Sequence, residues 1–287
     1  MKYLKKYLPY FLITLLFSIC LFVSYLVFIK NNTKYLKVVF LNVGQGDSIY
    51  IEAPNKNQIL IDGGPDQNVL ARLSQVMPFG DRSIDLLIAT HPDLDHIGGL
   101  TSVIDHYKIN GILDNGASSD TKVYQALEEK ISNKNIKKII ARAGMKIFLD
   151  KEKNIYFEIL FPDRDVSSLD SNDGSIVGRL VFGEYSFIFT GDASLYSEVL
   201  MHQNNGTNLK SNVLKLGHHG SKTSSSFLWL EDVMPDVAIV SAGKNNRYGH
   251  PNQETLGRLL ELKIPYLSTA DMGNIIFKTD GIKLIQK

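Results

Sequence analysis

The stretch THPDLDHIGG, residues 90–99, decides what kind of fold this chain can adopt. It ends the apolar run IDLLIAT (84–90), which predicts a strand covered on both faces. Four side chains that can bind metal fall within six residues there: His91, Asp93, Asp95 and His96. Imidazole and carboxylate together suit Zn, Mn or Fe, and four such groups at the mouth of an apolar strand would repel one another without a cation. The stretch therefore predicts a metal site.

Strands and helices are predicted on both sides of this motif. Residues 37–53 and 58–62 are rich in β-branched residues and alternate in polarity, as strands do. Further strands are predicted at 155–162, 175–192, 212–216 and 237–241, and helices at 68–76, 100–108, 121–133, 194–203 and 253–262. The pattern predicts an α/β fold with two β-rich halves and helices outside each, which is a four-layer αββα sandwich.

The composition excludes several classes of protein. Hydrophobic residues make up 44% of the chain and charged residues 21%, which is typical of a globular protein. Apart from Lys2, Lys5 and Lys6, 28 basic residues stand against 30 acidic ones, so the remainder carries a net charge of −2 and does not resemble a protein that coats DNA. The single cysteine, Cys20, lies in an apolar segment, which excludes disulfides and Cys-ligated zinc from the rest.

That apolar segment, Leu8–Ile29, contains no charged residue and is long enough as a helix to cross the roughly 30 Å hydrocarbon core of a membrane. The alternative is a cleaved signal peptide, but its apolar region is typically only about 7–15 residues long and ends at a small-residue cleavage site. We therefore predict a short tail (1–7), a transmembrane anchor (8–29), a linker (30–36) and one large globular domain (37–287). Lysines flank the segment on both sides, so the positive-inside rule is nearly balanced. We expect a single-pass cell-membrane protein with an extracytoplasmic domain.

The central motif resembles the HxHxDH signature of the metallo-β-lactamase superfamily, in the variant HxDxDH. More narrowly, four blocks resemble the hydrolase domain of the ComEC/Rec2 DNA-uptake proteins: FLNVGQGDS (40–48), ATHPDLDHIGG (89–99), VLKLGHHGSKTSSS (213–226) and SAGKNNRYGHPNQETLGRL (241–259). With ILIDGG (59–64) and FTGDAS (189–194), the resemblance covers the whole part that follows the apolar segment. It implies the metallo-β-lactamase sandwich and two divalent metal ions, Zn or Mn.

The resemblance also implies which residues bind these metals. His91 and Asp93 match ligands of the first metal, and Asp95 and His96 match ligands of the second. Asp192 matches the carboxylate that bridges both metals. His218 matches the histidine that completes the second site, although the adjacent His219 could exchange roles with it. In an extended chain only one of these two neighbours can point inward.

Other positions are expected beside the metals. Asp62 matches a carboxylate that orients the ligands, or it is simply a turn residue before two glycines. Asp47 is expected near the metals without binding them. Asn172 stands where many members of the superfamily have a further histidine on the first metal. The resemblance therefore implies a weaker, more oxygen-rich first site that prefers Mn.

Two positions late in the sequence could bind substrate. His250 could donate a hydrogen bond to a substrate oxygen, or it could cap a loop. Lys222 belongs to a group of cations that could hold phosphate, or that could be ordinary solvated surface charges; the others are Lys215, Lys244 and Arg247.

The expected chemistry is hydrolysis by a water that two metal ions activate, with Asp95 as the proton acceptor. The resemblance implies a phosphodiesterase or nuclease that acts on nucleic acid, as in competence, and it leaves protein partners open. A DNA channel is not expected from one predicted span. Two alternatives remain: a hydrolase of another surface substrate, such as a phosphocholine ester or a lactone, and a catalytically idle metal-binding module at the membrane.

Overall fold

The computed structural model describes the backbone of residues 2–31 and 34–287, and the side chains of residues 7–24, 34–204 and 208–287. The chain divides into two compact units, residues 1–34 and 35–287. Helix α1 (Lys2–Asn31) makes up the first unit, and its segment Tyr7–Ser24 is long and apolar enough to cross a membrane. The helix extends into the predicted tail (1–7) and linker (30–36), because lysine is a good helix former. Residues 32 and 33 of the linker lie outside the described residues.

The second unit contains all of the strands described. In chain order they are β1 (Leu36–Phe40), β2 (Ile49–Glu52), β3 (Gln58–Ile61), β4 (Ser83–Ile84), β5 (Leu86–Ala89), β6 (Lys108–Ile109), β7 (Gly111–Asp114), β8 (Lys137–Ile140), β9 (Lys146–Asp150), β10 (Ile155–Phe161), β11 (Val177–Phe182), β12 (Tyr185–Phe189), β13 (Val213–Lys215), β14 (Val237–Val240), β15 (Tyr266–Ser268), β16 (Ile275–Thr279) and β17 (Leu284–Gln286).

The helices of this unit lie between the strands. They are α2 (Asn68–Val76), α3 (Leu94–Ile97), α4 (Leu100–His106), α5 (Lys122–Asn133), α6 (Leu195–Asn205), α7 (Phe227–Val233), α8 (Gln253–Glu261) and α9 (Thr269–Met272). One sheet has the strand order β17-β16-β1-β2-β3-β5-β7-β8, and the other has the order β15-β14-β13-β12-β11-β10-β9. A short pair, β4 and β6, stands apart.

Three apolar cores show that the two sheets pack face to face between helices. Val38 and Phe40 of β1 face a core shared with the second sheet, which includes Phe157 and Phe189. Val39, between them, faces the opposite side, because successive side chains of a strand alternate. There it joins a core with side chains of α2, α4 and α5. A third core joins the second sheet to α6, α7 and α8 through Trp229 and its neighbours. The four-layer αββα sandwich predicted from the sequence is confirmed.

The strands that the sequence pattern did not predict include β8 and β9. Each is the last strand of its sheet, and each carries exposed lysines, so neither shows a continuous apolar run. Charged side chains on edge strands prevent pairing with other chains, and they also hide the strand from pattern recognition.

The topology explains why distant motifs meet. β3 and β5 are parallel neighbours in the first sheet, and β12 and β13 are parallel neighbours in the second. Parallel strands end at the same edge of a sheet, and loops at the carboxyl ends of such strands build binding sites. Asp62, the 90–99 motif, Asp192 and the segment 217–220 all directly follow these four strands.

Candidate metal centre

The buried carboxylate of Asp62 fixes the beginning of the 90–99 motif. It accepts hydrogen bonds from the backbone N–H of Thr90 (2.9 Å) and from the Thr90 hydroxyl (2.7 Å). Its Oδ2 also lies 2.8 Å from Nδ1 of His96, and the Thr90 hydroxyl lies 3.0 Å from Nδ1 of His91. Both histidines thus use Nδ1 for orientation, which leaves Nε2 of each available to a metal. Asp62 is therefore placed to orient the imidazole of His96 through Nδ1.

The loop before β2 holds Asp95 in place. The backbone N–H of Asp47 donates a hydrogen bond to the Asp95 carbonyl at 3.1 Å. Gly46 has a φ of 127°, and a side chain at this position would collide with the same carbonyl. Only glycine allows this close approach, so the GQGDS segment is needed for the position of the short helix α3.

Asp192 is at the centre of the site. Its Oδ1 lies 3.2 Å from Nε2 of His96, and its Oδ2 lies 3.5 Å from Nε2 of His219 and 3.7 Å from Nε2 of His218. Near it, Nε2 of His91 lies 3.7 Å from Oδ2 of Asp93. The fold therefore brings His96, His218 and His219 around Asp192, and it places His91 beside Asp93.

The inner part of the site is suited to a cation. Asp47, His96, Asp192 and His219 are all buried, and each offers one ligand atom within 4.8 Å of the others. Several buried polar atoms lack a hydrogen-bond partner among the described residues: His91 Nε2, His96 Nε2, Asp192 Oδ1, Asp47 Oδ1 and His219 Nδ1. Unsatisfied polar atoms are costly in a protein interior, and imidazole with carboxylate is the donor set of Zn and Mn. The buried side chains of the inner part of the site therefore fit a divalent metal ion.

The pair His218 and His219 differs from the expectation. The sequence analysis assumed an extended chain in which one ring faces away, but both residues adopt left-handed backbone angles (φ 45° and 56°). Both rings therefore approach Asp192. His219 is the deeper one, with its side chain 1% exposed and Nε2 3.2 Å from Asp95 Oδ2, whereas the side chain of His218 is 28% exposed. Of the two histidines that the sequence left interchangeable, His219 lies in the inner group with Asp47, His96 and Asp192.

Asp47 and Lys215 form a buried ion pair that the sequence did not reveal. The Lys215 ammonium lies 2.5 Å from Asp47 Oδ2 and 3.0 Å from the carbonyl of Gly191, and its side chain is fully buried. Lys215 is therefore neither a solvated surface charge nor free to hold phosphate. The signal in the sequence for a buried Lys215 is its position in the otherwise apolar strand segment VLKLG. Lys222, in contrast, is exposed.

The remaining predicted residues lie at the outer side of the site. His250 is half-buried, and its ring centroid lies 5.3 Å from that of His218 and 5.8 Å from that of Tyr248. Burial, together with His218 and His219, lowers the pKa of His250 to about 4. Asn172 contacts His218 through its amide nitrogen, 3.5 Å from Nδ1.

The carboxylates of the inner site raise the pKa of two of its histidines. Burial opposes charge on His96, but Asp192 and Asp62 outweigh it and hold the pKa of His96 well above its usual value. In the same way, Asp192, Asp47 and Asp95 overcome burial and raise the pKa of His219 to about 9. Burial and the neighbouring His96 lower the pKa of His91 to about 4. A metal ion would replace the protons on His96 and His219, so metal binding should release protons.

An open cleft adjoins the metal centre. It has a volume of about 840 Å³, and Asp93 and Asp95 form part of its wall. Lys122, Arg247 and Tyr248 line it as well. The Arg247 guanidinium lies 4.8 Å from the centre of the Tyr248 ring. The cleft therefore combines the carboxylates of the site with two cations and an aromatic surface.

Known proteins share this sequence pattern and this fold. Residues 41–244 match the family model of the metallo-β-lactamase superfamily. ComE operon protein 3 of Bacillus subtilis (strain 168) is 33% identical over 91% of this chain and 35% of its own length, and competence protein ComA of Neisseria gonorrhoeae is 30% identical over 84% and 32%. The chain thus spans about a third of the length of these relatives. Igni18, a metallo hydrolase of the archaeon Ignicoccus hospitalis KIN4/I, has the same fold (TM-score 0.56, 14% identity, 88% of this chain and 98% of that chain).

Proposed function

The chain belongs to the metallo-β-lactamase superfamily, and from this premise we propose that it is a two-metal hydrolase of phosphodiester bonds with DNA as its substrate. The observation that carries the proposal is the convergence of the motif side chains and His219 on Asp192. Buried side-chain atoms without hydrogen-bond partners face one another around Asp192. In a catalytically idle module, some of these side chains would be expected to be replaced by other residues.

The proposed ligands follow from the motif and, for the second metal, also from the distances to Asp192 and His219. His91, Asp93 and Asp192 would hold the first metal, and Asp95, His96, Asp192 and His219 the second. Two divalent ions would supply a water of lowered pKa and would stabilise the negative charge of the transition state. Asp47 is paired with Lys215 and would support the second site without replacing these ligands.

The residues of the chain supply the other steps. Asp95 accepts the proton of the attacking water, because its carboxylate is at once beside His219 and part of the cleft wall. Asp62 and Thr90 keep His96 in the tautomer that presents Nε2. His250 is neutral at pH 7 and donates a hydrogen bond to a phosphate oxygen of the bound substrate.

The side chains of the cleft are suited to a nucleic-acid substrate. Lys122 and Arg247 can pair with phosphates, and Tyr248, 51% exposed, offers a ring on which a base can stack. The names of the relatives, a competence protein and a ComE operon protein, favour DNA taken up by cells. A phosphocholine ester or a lactone would use less of this charged surface and remains the alternative.

Substitution of Asp95 tests the chemistry. We expect Asp95→Asn to lower the rate of bis-p-nitrophenyl phosphate hydrolysis by roughly 100-fold or more, since a general base contributes on the order of 10²–10⁴. The full chain in detergent would be assayed with Mn or Zn and after chelation, which should abolish activity. Asp105→Asn, at an exposed acid on α4 outside the site, is the matched control. Undiminished activity of Asp95→Asn would remove this residue from the mechanism.

The substrate class is tested by direct competition. The metal-loaded chain would be given end-labelled single-stranded and duplex DNA, p-nitrophenyl phosphorylcholine and a lactone in parallel. Cleavage of DNA at kcat/KM values at least tenfold above those for the other substrates supports the proposal. Preference for the choline ester or the lactone would replace it with the alternative hydrolase function.

A further inference from the structure

The first strand of the domain starts at the end of the sandwich that lies opposite the metal centre. β1 begins at Leu36 and is antiparallel to β2, which is in turn antiparallel to β3. β1 therefore runs in the same direction as β3 and β5, whose carboxyl ends lead to Asp62 and to the 90–99 motif. The chain thus enters the domain at the end that is remote from the candidate metal ligands.

The most exposed apolar side chains of the domain also lie at this end. Among the described side chains of residues 34–287, the large apolar ones with the highest exposed fractions are Phe79 (104%), Leu260 (80%), Ile282 (70%) and Met234 (59%). A single exposed apolar residue is ordinary on a protein surface. The presence of the four most exposed ones at one end indicates an interaction surface.

Two hydrogen bonds place Phe79 at the starts of β1 and β3. The Lys37 ammonium, in β1, donates to the Val76 carbonyl at 2.8 Å. The Gln58 amide, at the first position of β3, donates to the Asp81 carboxylate at 2.6 Å. The turn between Val76 and Asp81 therefore crosses the beginnings of both strands, and it holds the side chain of Phe79 fully in solvent.

The other three side chains lie where further strands begin or turn. Ile282 is in the turn between β16 and β17, shortly after Thr279, which pairs with Leu36. Met234 directly follows α7 and precedes β14, and Leu260 is in the last turn of α8, which leads into β15. β14 and β15 are parallel to β13, so they too begin at the end opposite the metal centre. We call this end the entry end; it comprises Leu36 and the turns 76–81, 234–236, 260–265 and 280–283.

The short connection to the predicted anchor keeps the entry end near the membrane. The anchor ends at Ile29 and β1 begins at Leu36, so residues 30–35 alone connect them. At about 3.3–3.6 Å per extended residue, this segment reaches at most roughly 20 Å. Such a short tether gives the lipid surface a high effective concentration at the entry end.

The distribution of the four side chains suits a bilayer better than a compact protein partner. Phe79 and Ile282 lie beside the first sheet, whereas Met234 and Leu260 lie beside the second. A protein partner buries one closely packed area with a continuous apolar core. The interfacial region of a bilayer is broad, and it accepts apolar side chains that lie on separate elements.

The charges near these side chains are of both signs. Exposed Lys263 and Lys283 are accompanied by exposed Glu231 and Glu261. Attraction to anionic headgroups is therefore nearly cancelled, and burial of apolar area is the term that can hold this end on lipid. Contact should thus occur on zwitterionic phosphatidylcholine.

We propose that the entry end lies on the lipid surface, with Phe79, Ile282, Met234 and Leu260 inserted into the interfacial region of the bilayer. This contact directs the metal centre and its cleft away from the membrane, toward substrate in the aqueous phase. The inference rests on the predicted anchor. It goes beyond the proposed function, because none of the four residues belongs to the metal centre or to the cleft.

Quenching of tryptophan fluorescence by brominated lipid tests the contact. The full chain would be reconstituted into phosphatidylcholine vesicles with and without bromine on the upper part of the acyl chains. Trp229 is the only tryptophan and is 1% exposed, so the wild type gives the baseline. We expect the emission that Phe79→Trp and Ile282→Trp add to this baseline to be largely lost in brominated vesicles, because bromine quenches only a ring that it contacts.

Met272→Trp is the matched control at the other end of the domain. Met272 is 47% exposed and lies in α9, which follows the carboxyl end of β15 on the side of the metal centre. Its added emission should be the same in both kinds of vesicle. Adding Phe79→Ser and Leu260→Ser to Ile282→Trp should restore emission, since burial of each large apolar side chain favours the contact about tenfold or more.

The outcomes separate this inference from the others. Equal emission of Phe79→Trp and of Ile282→Trp in brominated and plain vesicles would overturn it and leave the proposed hydrolase activity standing. Equal quenching of Met272→Trp would also overturn it, because contact would then not be confined to the entry end. Failure of the chain to float with the vesicles would overturn the predicted anchor and the inference together.

Discussion

Lys215 is a cation without solvent contact, and its charge is balanced mainly by Asp47. Its ammonium lies 2.5 Å from Asp47 Oδ2 and 3.9 Å from Asp192 Oδ1. Removing one partner of a buried pair leaves an uncompensated charge, whereas removing both can be nearly neutral. The metal-free chain should therefore depend on this lysine more than the metal-loaded chain, in which the ions also balance the carboxylates.

We predict that Lys215→Met lowers the free energy of unfolding of the metal-free chain by about 3–5 kcal/mol. The double variant Lys215→Met/Asp47→Asn should recover part of this loss. Urea denaturation of the two single variants and the double variant gives the coupling energy. Lys130→Met removes the exposed pair with Asp105 and should cost about 1 kcal/mol or less. Strictly additive losses for Lys215 and Asp47 would contradict the ion-pair account.

The site residues differ in how well the sequence predicts them. His91, Asp93, Asp95 and His96 are identified because they fall together in one short segment. Lys215 was misread because its partner lies far away in the sequence, and nothing in a strand pattern marks a buried lysine as paired. The orientation of His218 and His219 was misread for a different reason: positive φ at two successive residues cannot be expected from their type.

The loop after the HH pair is anchored by one carboxylate of helix α6. Glu198 is buried and accepts hydrogen bonds from the backbone N–H groups of Ser225 (2.5 Å) and Ser226 (2.9 Å), directly before α7. Burial nevertheless dominates and raises the pKa of Glu198 to about 7 from an ordinary value of 4.5. Between these two pH values the folded chain holds a proton that the unfolded chain has lost.

We therefore predict that the contact between Glu198 and the loop before α7 stabilises the folded chain less as the pH rises from 4.5 to 7. The contribution of Glu198 to the free energy of unfolding should fall by about 3 kcal/mol over this window, and Glu198→Gln should remove that slope. Urea denaturation at pH 4.5, 6 and 7.5, with both chains treated with a chelator, gives the difference in the free energy of unfolding between Glu198→Gln and the wild type. The titration of the metal ligands cancels in this difference, because both chains contain the same ligands. Glu254→Gln, at an exposed acid of α8, is the control. Parallel pH profiles for Glu198→Gln and the wild type would show that folding does not raise the pKa of Glu198.

At the level of the whole molecule, the sequence predicts the sandwich because its inner strands are apolar runs and its motifs follow them. The sequence predicts less well those elements whose residues depend on their place in the fold. The edge strands β8 and β9 are polar because one side of each is unpaired, and the bounds of α1 exceed the apolar run because flanking lysines also favour helix. Membrane orientation is the property that pattern alone leaves most open, since the flanking charges are balanced.

We predict that α1 crosses the membrane and that residues 37–287 lie outside the cytoplasm. The segment Tyr7–Ser24 is long and apolar enough to span, three lysines precede it, and DNA taken up by cells would meet the domain there. Cys20, the only cysteine, lies within that segment, so a cysteine introduced at exposed Lys153 provides a specific label. In intact protoplasts, Lys153→Cys should react with a membrane-impermeant maleimide, and external protease should degrade the domain.

The parent chain with Cys20 alone is the matched control, because a thiol within the membrane should remain unlabelled. A cytoplasmic protein must survive the protease in the same sample. Labelling of Lys153→Cys only after detergent lysis, together with full protection from protease, would place the domain inside and would favour an intracellular phosphodiester substrate. Release of the domain into the medium would instead show that α1 is cleaved as a signal peptide, since an uncleaved apolar helix of this length holds the chain at the membrane.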